Sequence, residues 1–288
     1  MIYSYGFSQI GIYHQKNNTV CQDSYFIDNT NNNCIIAAIA DGLGSEKYTD
    51  VASRIAVRTA VDVCSYNMSS ISTFDDEQIY SIIKKSFKAA LSAIKTEVNR
   101  NNHSINEYDT TLDLAIFIED SLYYGHVGDS GILVMNIEGK IFPVTKQQND
   151  EYGHVYPLVF ENKWKFGLIK GVSSVLMVTD GMLKTFFPAY LLYEEEKVHI
   201  ALARNFIDNS FVRIERNGVD KVKKAIEKFV ANYSEEQCDD DKTVVVLINP
   251  SVVVNRQPDE YYNEPNWEII IPKWKERYEK ETGRRYIE

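Results

Sequence analysis

The chain has 288 residues, of which 44% are apolar and 25% are charged, and its formal net charge at pH 7 is −10. This composition is typical of a globular protein, and the length predicts one large domain or two smaller ones. Because a negative surface repels phosphate backbones and anionic headgroups, the charge argues against nucleic acid and membranes as partners.

The sequence carries no pattern that predicts export or membrane insertion. The chain has four cysteines: Cys21, Cys34, Cys64 and Cys238. They form no CxxC pair and no zinc-finger spacing, which predicts reduced thiols. The first six residues resemble no signal peptide, and the longest apolar run, residues 34–40, falls short of the roughly 20 residues that span a bilayer. We therefore expect a cytoplasmic protein.

The first part of the chain predicts three strands followed by two helices. The strands are predicted over residues 3–10, 24–28 and 34–40. The last of them ends at Asp41-Gly42, a strong turn signal. One helix is predicted from about residue 50 to 68. The second is predicted to begin near Thr73 as N-cap, because apolar residues then recur at spacings of three and four from Ile79 to Val98.

The second part of the chain returns to strands. These strands are predicted over residues 112–118, 122–126, 132–136, 141–144, 174–179 and 243–248. An aromatic-rich loop over residues 152–166 separates two of them, and we expect its rings to cover a sheet edge rather than a substrate groove. An apolar stripe from Val219 to Tyr233 predicts a helix before the last strand.

This order of elements predicts an α+β fold. Contiguous strands joined by hairpins form antiparallel sheets, and paired amphipathic helices must cover them. The expected architecture is a four-layer α-β-β-α sandwich of two antiparallel sheets flanked by helix pairs. We assign residues 1–249 to this domain and residues 250–288 to a C-terminal extension. Because Trp267 and Trp274 are too apolar for a solvated tail, we expect the extension to dock on the domain or on a partner.

Acidic residues follow three of the apolar strands, and an acidic run precedes the last one. These residues are Asp41, Asp129, Asp180 and the cluster Asp239-Asp240-Asp241. Strand ends lie at the rim of a rigid scaffold, where carboxylates from distant sequence can meet. Unpaired carboxylates repel each other, and all-oxygen ligands select hard cations such as Mg²⁺ or Mn²⁺. One Asp-Gly after a strand is usually only a turn, but repetition favours a shared metal site.

Six short motifs in a fixed order resemble a known family. They are Cys21-Gln22-Asp23-Ser24, Asp41-Gly42-Leu43-Gly44 with Ala52-Ser53, Thr110-Thr111, Gly128-Asp129-Ser130, Thr179-Asp180-Gly181 and Asp240-Asp241-Lys242-Thr243. Together they resemble the metal-dependent type 2C protein Ser/Thr phosphatases (the PPM family), most closely their divergent bacterial branch, over about residues 5–248. The resemblance implies the same β-sandwich, with a metal centre at one end.

The resemblance also implies a role for each acidic position. Asp41 would bridge two ions, and the Gly42 carbonyl would bind one of them. Asp180 and Asp240 would hold the other side, which makes Asp41, Asp180 and Asp240 the catalytic set. Asp23 would act at the same site, through water, and Asp129 would help to hold a weaker third ion.

The implied reaction is hydrolysis of phosphoserine and phosphothreonine in proteins. Two Mn²⁺ or Mg²⁺ ions about 4 Å apart would hold a bridging water and lower its pKa, and that water would attack phosphorus while the ions neutralise the phosphoryl oxygens. The implied partners are a phosphorylated protein substrate and a cognate Ser/Thr kinase, without nucleic acid or membrane.

The chain departs from the family pattern at four positions: Asn18, Gln22, Leu43 and Gly131. Asn18 stands where family members commonly carry an Arg that grips the phosphate, and Lys16 or His14 are the candidates to replace it. A lysine is a point charge without the bidentate fork of arginine. The alternative function is therefore a catalytically weak pseudophosphatase that binds or senses a kinase partner.

Two local patterns have specific interpretations. Anchored on Thr243, the family register makes Asp240 the metal ligand and places Asp241 where the family usually has Asn, so we expect Asp241→Asn to be mild. The sequence Gly128-Asp129-Ser130-Gly131 also matches the nucleophile motif of chymotrypsin-like proteases. That interpretation requires a general-base histidine in a matching setting, and the sequence offers none.

Overall fold

The computed structural model describes residues 1–31, 33–44, 46–71, 75–234 and 238–283. Within these residues, ten strands form two five-stranded antiparallel sheets. The first sheet has the order β2-β3-β4-β5-β8 and contains β2 (Ser24–Asn31), β3 (Cys34–Ala40), β4 (Leu112–Ile118), β5 (Ser121–Val127) and β8 (Lys165–Lys170). The second has the order β1-β10-β9-β6-β7 and contains β1 (Tyr3–Gln9), β6 (Gly131–Asn136), β7 (Ile141–Pro143), β9 (Val172–Val178) and β10 (Lys242–Ile248).

The two sheets face each other across an apolar layer. The central strands are buried on both faces, so their sequences are mostly apolar, and β3 is apolar throughout. Ile35, Ile39 and Phe117 of the first sheet meet Met177 and Val245 of the second in this layer. Alternate residues of the same strands point outward to the helices, which produces a helix-side core on each sheet. The predicted four-layer α-β-β-α sandwich is thus confirmed.

Two long helices, α2 (Thr49–Met68) and α3 (Asp76–Asn101), cover the first sheet. Alanines such as Ala52, Ala56 and Ala60 form the buried stripe of α2, so that its backbone can approach the sheet closely. Helix α3 begins at Asp76, where the Asp75 side chain accepts a hydrogen bond from the Gln78 backbone N–H at 3.1 Å. Thr73, the expected N-cap, lies outside the described residues.

Shorter helices cover the second sheet. They are α4 (Asp180–Phe186), α5 (Ile200–Ile207), α6 (Asn209–Val212), α7 (Ile214–Asn217) and α8 (Val219–Ala231). Phe186 of α4 and Phe206 of α5 pack edge to face, with ring centroids 5.2 Å apart, and the buried Val222 and Ile226 anchor α8. No helix in the described ranges is both long and apolar enough to cross a lipid bilayer.

Some elements were not predicted from the sequence. A short helix, α1 (Ile12–Lys16), follows β1. Strand β8 begins in the last two residues of the expected aromatic loop and continues over residues 167–170, where no strand was predicted. The loop itself does two things. Near the end of the loop, Trp164 is buried against Phe87 of α3, with ring centroids 5.4 Å apart. Near its beginning, His154 lines a cleft.

Residues after 249 pack on the second helix layer. Tyr262 is only 2% exposed, and its hydroxyl donates to the Gly139 carbonyl oxygen at 2.8 Å. A last helix, α9 (Trp267–Thr282), buries Trp274 against Tyr190, with ring centroids 5.1 Å apart.

Tyr262 is expected to hold the extension through its ring more than through its hydroxyl. Tyr262→Ala empties a buried site and should lower the free energy of unfolding by about 3–5 kcal/mol. Tyr262→Phe removes two hydrogen bonds, the one donated to the Gly139 carbonyl oxygen and the one accepted from the Gln257 N–H at 3.3 Å, and should cost about 1–2 kcal/mol. Urea denaturation of both variants measures the difference, and equal losses would show that the ring does not anchor this segment.

Candidate metal centre

Acidic side chains from both sheets meet at one end of the sandwich. They line an open cleft of about 440 Å³. The carboxylates that line it are Asp41, Glu46, Asp109, Asp129, Asp180 and Asp240. Asp41 follows β3 of the first sheet, whereas Asp180 follows β9 and Asp240 precedes β10 of the second. The cleft therefore forms where the ends of strands from the two sheets converge.

The backbone of Asp41 is fixed by the loop before β4. Its N–H donates to Thr111 Oγ1 at 2.8 Å, and its carbonyl oxygen accepts from the Thr111 N–H and from Thr110 Oγ1, both at 2.8 Å. These three hydrogen bonds involve only the backbone N–H and carbonyl oxygen of Asp41, so its side chain is free to line the cleft. The Thr110-Thr111 motif thus positions Asp41.

Two glycines permit close approach of the backbone beside the cleft. A Cβ on Gly42 would lie 2.7 Å from Thr49 Cβ, at the start of α2. A Cβ on Gly181 would lie 2.1 Å from the Asp241 carbonyl oxygen. Both distances are shorter than van der Waals contact, so any larger residue would clash at these positions. Glycine therefore allows the start of α2 to pack against Gly42 and the Asp241 backbone to pack against Gly181.

Asp23 lies behind the cleft rather than on its surface. It is 6% exposed, and its Oδ2 accepts a hydrogen bond from Thr179 Oγ1 at 2.7 Å. The same Thr179 oxygen accepts from the Thr243 N–H at 3.1 Å. Burial, together with the negative charges of Asp241 and Asp180, raises the pKa of Asp23 well above its usual range.

Burial and neighbouring negative charges raise the pKa values of Asp41, Asp129 and Asp240 in the cleft. Burial and the charges of Asp23 and Asp180 raise the pKa of Asp41 well above its usual range. Burial and the Asp180 charge raise the pKa of Asp129 to about 7, and the same two causes raise the pKa of Asp240. Full ionisation of this group is therefore unfavourable without a compensating cation.

The donor set fits a divalent metal. Asp129 is 7% exposed, and among the described residues its buried Oδ1 has no hydrogen-bond partner. A buried carboxylate oxygen without a partner is costly, and a bound cation would satisfy it. Because carboxylate and backbone carbonyl oxygens are hard ligands, the cleft suits Mg²⁺ or Mn²⁺ rather than a thiolate-binding metal.

The three acidic residues before β10 have different environments. Asp239 is exposed, Asp240 lines the cleft, and Asp241 is 2% exposed outside it. The Asp241 oxygens accept from the Gly11 N–H and the Gln22 N–H, each at 2.6 Å. Asp241 therefore ties β10 to the segment between β1 and β2, which changes the expectation that Asp241→Asn is mild.

His14 joins this structural contact rather than the cleft. Its Nδ1 lies 2.9 Å from Asp241 Oδ1, and the ring is 5% exposed. His14, Asp240 and Asp241 offer ligand atoms within 4.8 Å of one another, but the Asp241 oxygens already hold two backbone N–H groups. Neither His14 nor Lys16 lines the cleft, so neither stands where it would replace the missing arginine.

Sequence reasoning missed five residues of the cleft, of which three are titratable: Glu46, Asp109 and His154. Burial and the Glu46 charge raise the pKa of Asp109 to about 6. Asp109 could have been found from the sequence, because it directly precedes the Thr110-Thr111 motif. No sequence pattern points to His154, which lies in a loop turn with its Nδ1 3.0 Å from Asp150 Oδ2.

Ser130 is placed as a structural residue. It is fully buried, and its Oγ lies 3.3 Å from Thr111 Oγ1. The neighbouring His126 uses both ring nitrogens elsewhere, because Nδ1 lies 2.6 Å from Asp113 Oδ1 and Nε2 lies 2.9 Å from the Lys146 carbonyl oxygen. This arrangement does not provide the nucleophile and free base of a serine protease.

Comparison with known proteins points to one family. A family model described as Protein phosphatase 2C matches residues 10–231. The solved serine/threonine phosphatase Stp1 from Staphylococcus aureus is 15% identical with a TM-score of 0.59, and the alignment covers 87% of this chain and 96% of that one. The Mycobacterium tuberculosis serine/threonine phosphatase PstP/Ppp is 15% identical with a TM-score of 0.57, over 86% of this chain and 98% of that one. At these identities the structural likeness shows the fold. A search of curated proteins found no matching sequence.

Asp241→Asn should destabilise the protein because an amide offers one acceptor where two backbone N–H groups need acceptors. The unsatisfied donor should lower the free energy of unfolding by about 1–3 kcal/mol. Asp239→Asn is the matched control at an exposed position and should change it by less than about 0.5 kcal/mol. Urea denaturation at pH 7 measures both, and equal values would contradict the structural role of Asp241.

The stability of the metal-free protein should fall as pH rises from about 4 to about 7. The folded-state pKa of Asp129, about 7 against an ordinary 3.8, means that the folded protein binds more protons than the unfolded chain in this interval. Mn²⁺ should raise the melting temperature more at pH 8 than at pH 5, because the ligands must be deprotonated.

Asp129→Asn is the control for this pH dependence, since it keeps the shape of the side chain and removes its titration. Thermal unfolding with a chelator should then show a shallower fall of stability with pH. A metal effect of equal size at both pH values, or an unchanged slope in the variant, would contradict the interpretation of the cleft.

Proposed function

We propose that this chain, which belongs to the protein phosphatase 2C family, hydrolyses phosphoserine and phosphothreonine in proteins and requires Mn²⁺ or Mg²⁺. The observation that carries the proposal is the meeting of Asp41, Asp180 and Asp240 from two different sheets at one open cleft. Structural roles alone do not account for this group, because burial and the charge of Asp180 raise the pKa values of Asp41 and Asp240. Among the described residues, no buried cation forms an ion pair with these carboxylates.

In this proposal the cleft holds two divalent ions, with a third beside Asp129. Asp41, Asp180, Asp240 and the Gly42 carbonyl would be the direct ligands, and Asp23 would act from behind them. When bound, the ions supply water activation and neutralise charge on the phosphoryl oxygens.

The chain's own contribution is to keep the acidic groups in place. Asp41 is fixed through Thr110 and Thr111, and Asp23 is oriented by Thr179. Such positioning avoids reorganisation during the reaction, which is the main way in which a protein lowers a phosphoryl-transfer barrier. Leu43 lines the cleft where some family members carry a histidine, so the leaving oxygen takes its proton from water in this account.

The phosphate is expected to meet a cation at the edge of the cleft. Lys184 Nζ lies 3.8 Å from Asp180 Oδ2, one turn along α4, and the side chain is exposed. His154 lines the cleft from the other side. These two groups, rather than His14 or Lys16, can approach a phosphoryl group at the acidic centre.

One observation favours a second candidate function, a pseudophosphatase that binds a kinase partner. Among the described residues, no arginine or lysine lines the cleft, and Asn18 occupies the position of the phosphate-gripping arginine. The ligand set favours the enzyme, because a module that only binds its partner has no need of converging carboxylates.

The setting of the enzyme is part of the proposal. Four unpaired thiols suit a reducing compartment such as the cytoplasm. A cognate Ser/Thr kinase would supply the phosphorylated substrate. Residues 1–249 would form the phosphatase domain, and residues 250–288 an extension docked through Tyr262 and Trp274.

Asp180→Asn and Asp240→Asn should each lower kcat/KM by about a hundredfold or more, because the amide removes the anionic charge that binds the ions. Asp239→Asn is the matched control and should stay within about twofold of the wild type. Hydrolysis of a phosphothreonine peptide with Mn²⁺ measures all three variants, and a strong chelator should abolish the wild-type activity.

Other outcomes decide against the mechanism. Full activity in the presence of chelator would exclude it. Loss of turnover in Ser130→Ala, with the variant still folded, would instead favour a serine nucleophile. If the folded wild type with Mn²⁺ shows no hydrolysis of any phosphopeptide or aryl phosphate, the pseudophosphatase is the better account.

A further inference from the structure

A basic pocket of about 780 Å³ lies on the outer helix layer, where α5 to α8 cover the second sheet. Five cationic residues line it: Arg204, Arg213, Arg216, Lys221 and Arg256. Among the described residues, no aspartate or glutamate lines it. In a chain of net charge −10 such a concentration of positive charge is unexpected.

Only part of this charge is neutralised within the protein. Asp208 is 1% exposed, and its Oδ2 lies 3.7 Å from the guanidinium of Arg204 and 3.6 Å from that of Arg256. One negative charge therefore faces two positive charges, and one positive charge of this group remains uncompensated.

The other three cations of the pocket have no ion-pair partner in the described part of the chain. Arg213, Arg216 and Lys221 are exposed at the rim. The neighbouring Glu215 accepts from Asn209 Nδ2 at 3.2 Å. The pocket therefore keeps an excess of positive charge that an anionic partner would compensate.

An apolar groove of about 400 Å³ continues from the basic pocket along α8. The two depressions share Phe211, Asn217 and Lys221. Val222 and Ile226 form the floor of the groove, and the rings of Phe211 and Phe229 remain 54% and 43% exposed. Large rings exposed beside a concave apolar surface are typical of interaction sites.

The basic pocket and the apolar groove together determine which kind of ligand can bind there. Helix α8 has 13 residues, which corresponds to about 20 Å, so the groove fits a short segment rather than an extended surface. The occupant must place anionic groups at one end and apolar side chains along the rest. A nucleic acid or an anionic bilayer extends beyond the basic pocket and would be repelled by the remaining negative surface, whereas a short acidic segment is confined to the pocket.

We propose that this composite groove is a docking site for an acidic segment of a partner protein, in which apolar side chains follow a run of carboxylates. The carboxylates pair with Arg213, Arg216 and Lys221, and the apolar side chains cover Phe211 and Phe229. The groove shares no residue with the acidic cleft, so docking at the groove leaves the cleft open. The proposal does not depend on catalysis.

The test is the binding of a defined probe by fluorescence anisotropy. The probe is a fluorescein-labelled peptide with a run of glutamates followed by leucines at helical spacings of three and four. We expect saturable binding to the full-length protein that weakens as salt is raised. Replacing either the glutamates by glutamine or the leucines by serine should weaken binding of the peptide by about tenfold.

Two matched double variants locate the binding site. Arg216→Glu with Lys221→Glu should weaken binding of the peptide by about tenfold or more. Lys84→Glu with Lys88→Glu makes the same change in net charge at exposed positions of α3 and should stay within about twofold. Phe211→Ser tests the apolar half and should also weaken binding, and circular dichroism verifies that each variant is folded.

Three results would overturn the proposal. The first is no binding of the peptide to the wild type. The second is equal weakening by the two double variants, which would mean non-specific attraction. The third is that a single-stranded oligonucleotide or a phosphatidylserine vesicle binds through Arg216 and Lys221 while the peptide does not, which would assign the pocket to nucleic acid or membrane.

Discussion

Mutual repulsion among carboxylates crowded into one partly buried cleft is the constraint on which the rest of this structure depends. Asp41, Asp129 and Asp240 are brought together with Asp180 at the ends of strands from both sheets. Burial and the charge of Asp180 raise the pKa values of Asp41, Asp129 and Asp240. A flexible chain would separate such groups, so the surrounding structure must hold them.

Hydrogen bonds, rather than ion pairs, hold the acidic residues in place. Thr110 and Thr111 fix the Asp41 peptide, and Thr179 orients Asp23. Asp241, next to Asp240, accepts hydrogen bonds from the N–H groups of Gly11 and Gln22 and so fixes the start of β10 to the segment between β1 and β2. The acidic cleft is therefore the open face of a network in which Asp23 and Asp241 are held by hydrogen bonds. The carboxylates that line the cleft remain available to cations.

Much of this could be predicted from the sequence, because the central strands and long helices have strong patterns. Strand β3 is continuously apolar and ends at Asp41-Gly42, and the apolar spacing on α3 marks its buried face. Strand β8 was missed because it lies at a sheet edge, is half-exposed and alternates too weakly. Helix α1 was missed because five residues cannot show a helical period.

The details of the site were harder to predict, because they depend on contacts between distant parts of the chain. The family motif identified Asp240, but no local pattern could show that Asp241 would receive hydrogen bonds from residues more than two hundred positions away. His154 reaches the cleft through a turn of an irregular loop. The substitution at Asn18 was visible in the sequence, whereas the burial of His14 against Asp241 required the structure.

The most direct measurement of the central claim is anomalous diffraction from crystals of the full chain grown with Mn²⁺. The account predicts at least two Mn²⁺ peaks in the acidic cleft, in contact with oxygens of Asp41, Asp180 and Asp240. A cleft without Mn²⁺, or a single ion held only between His14 and Asp241, would contradict it.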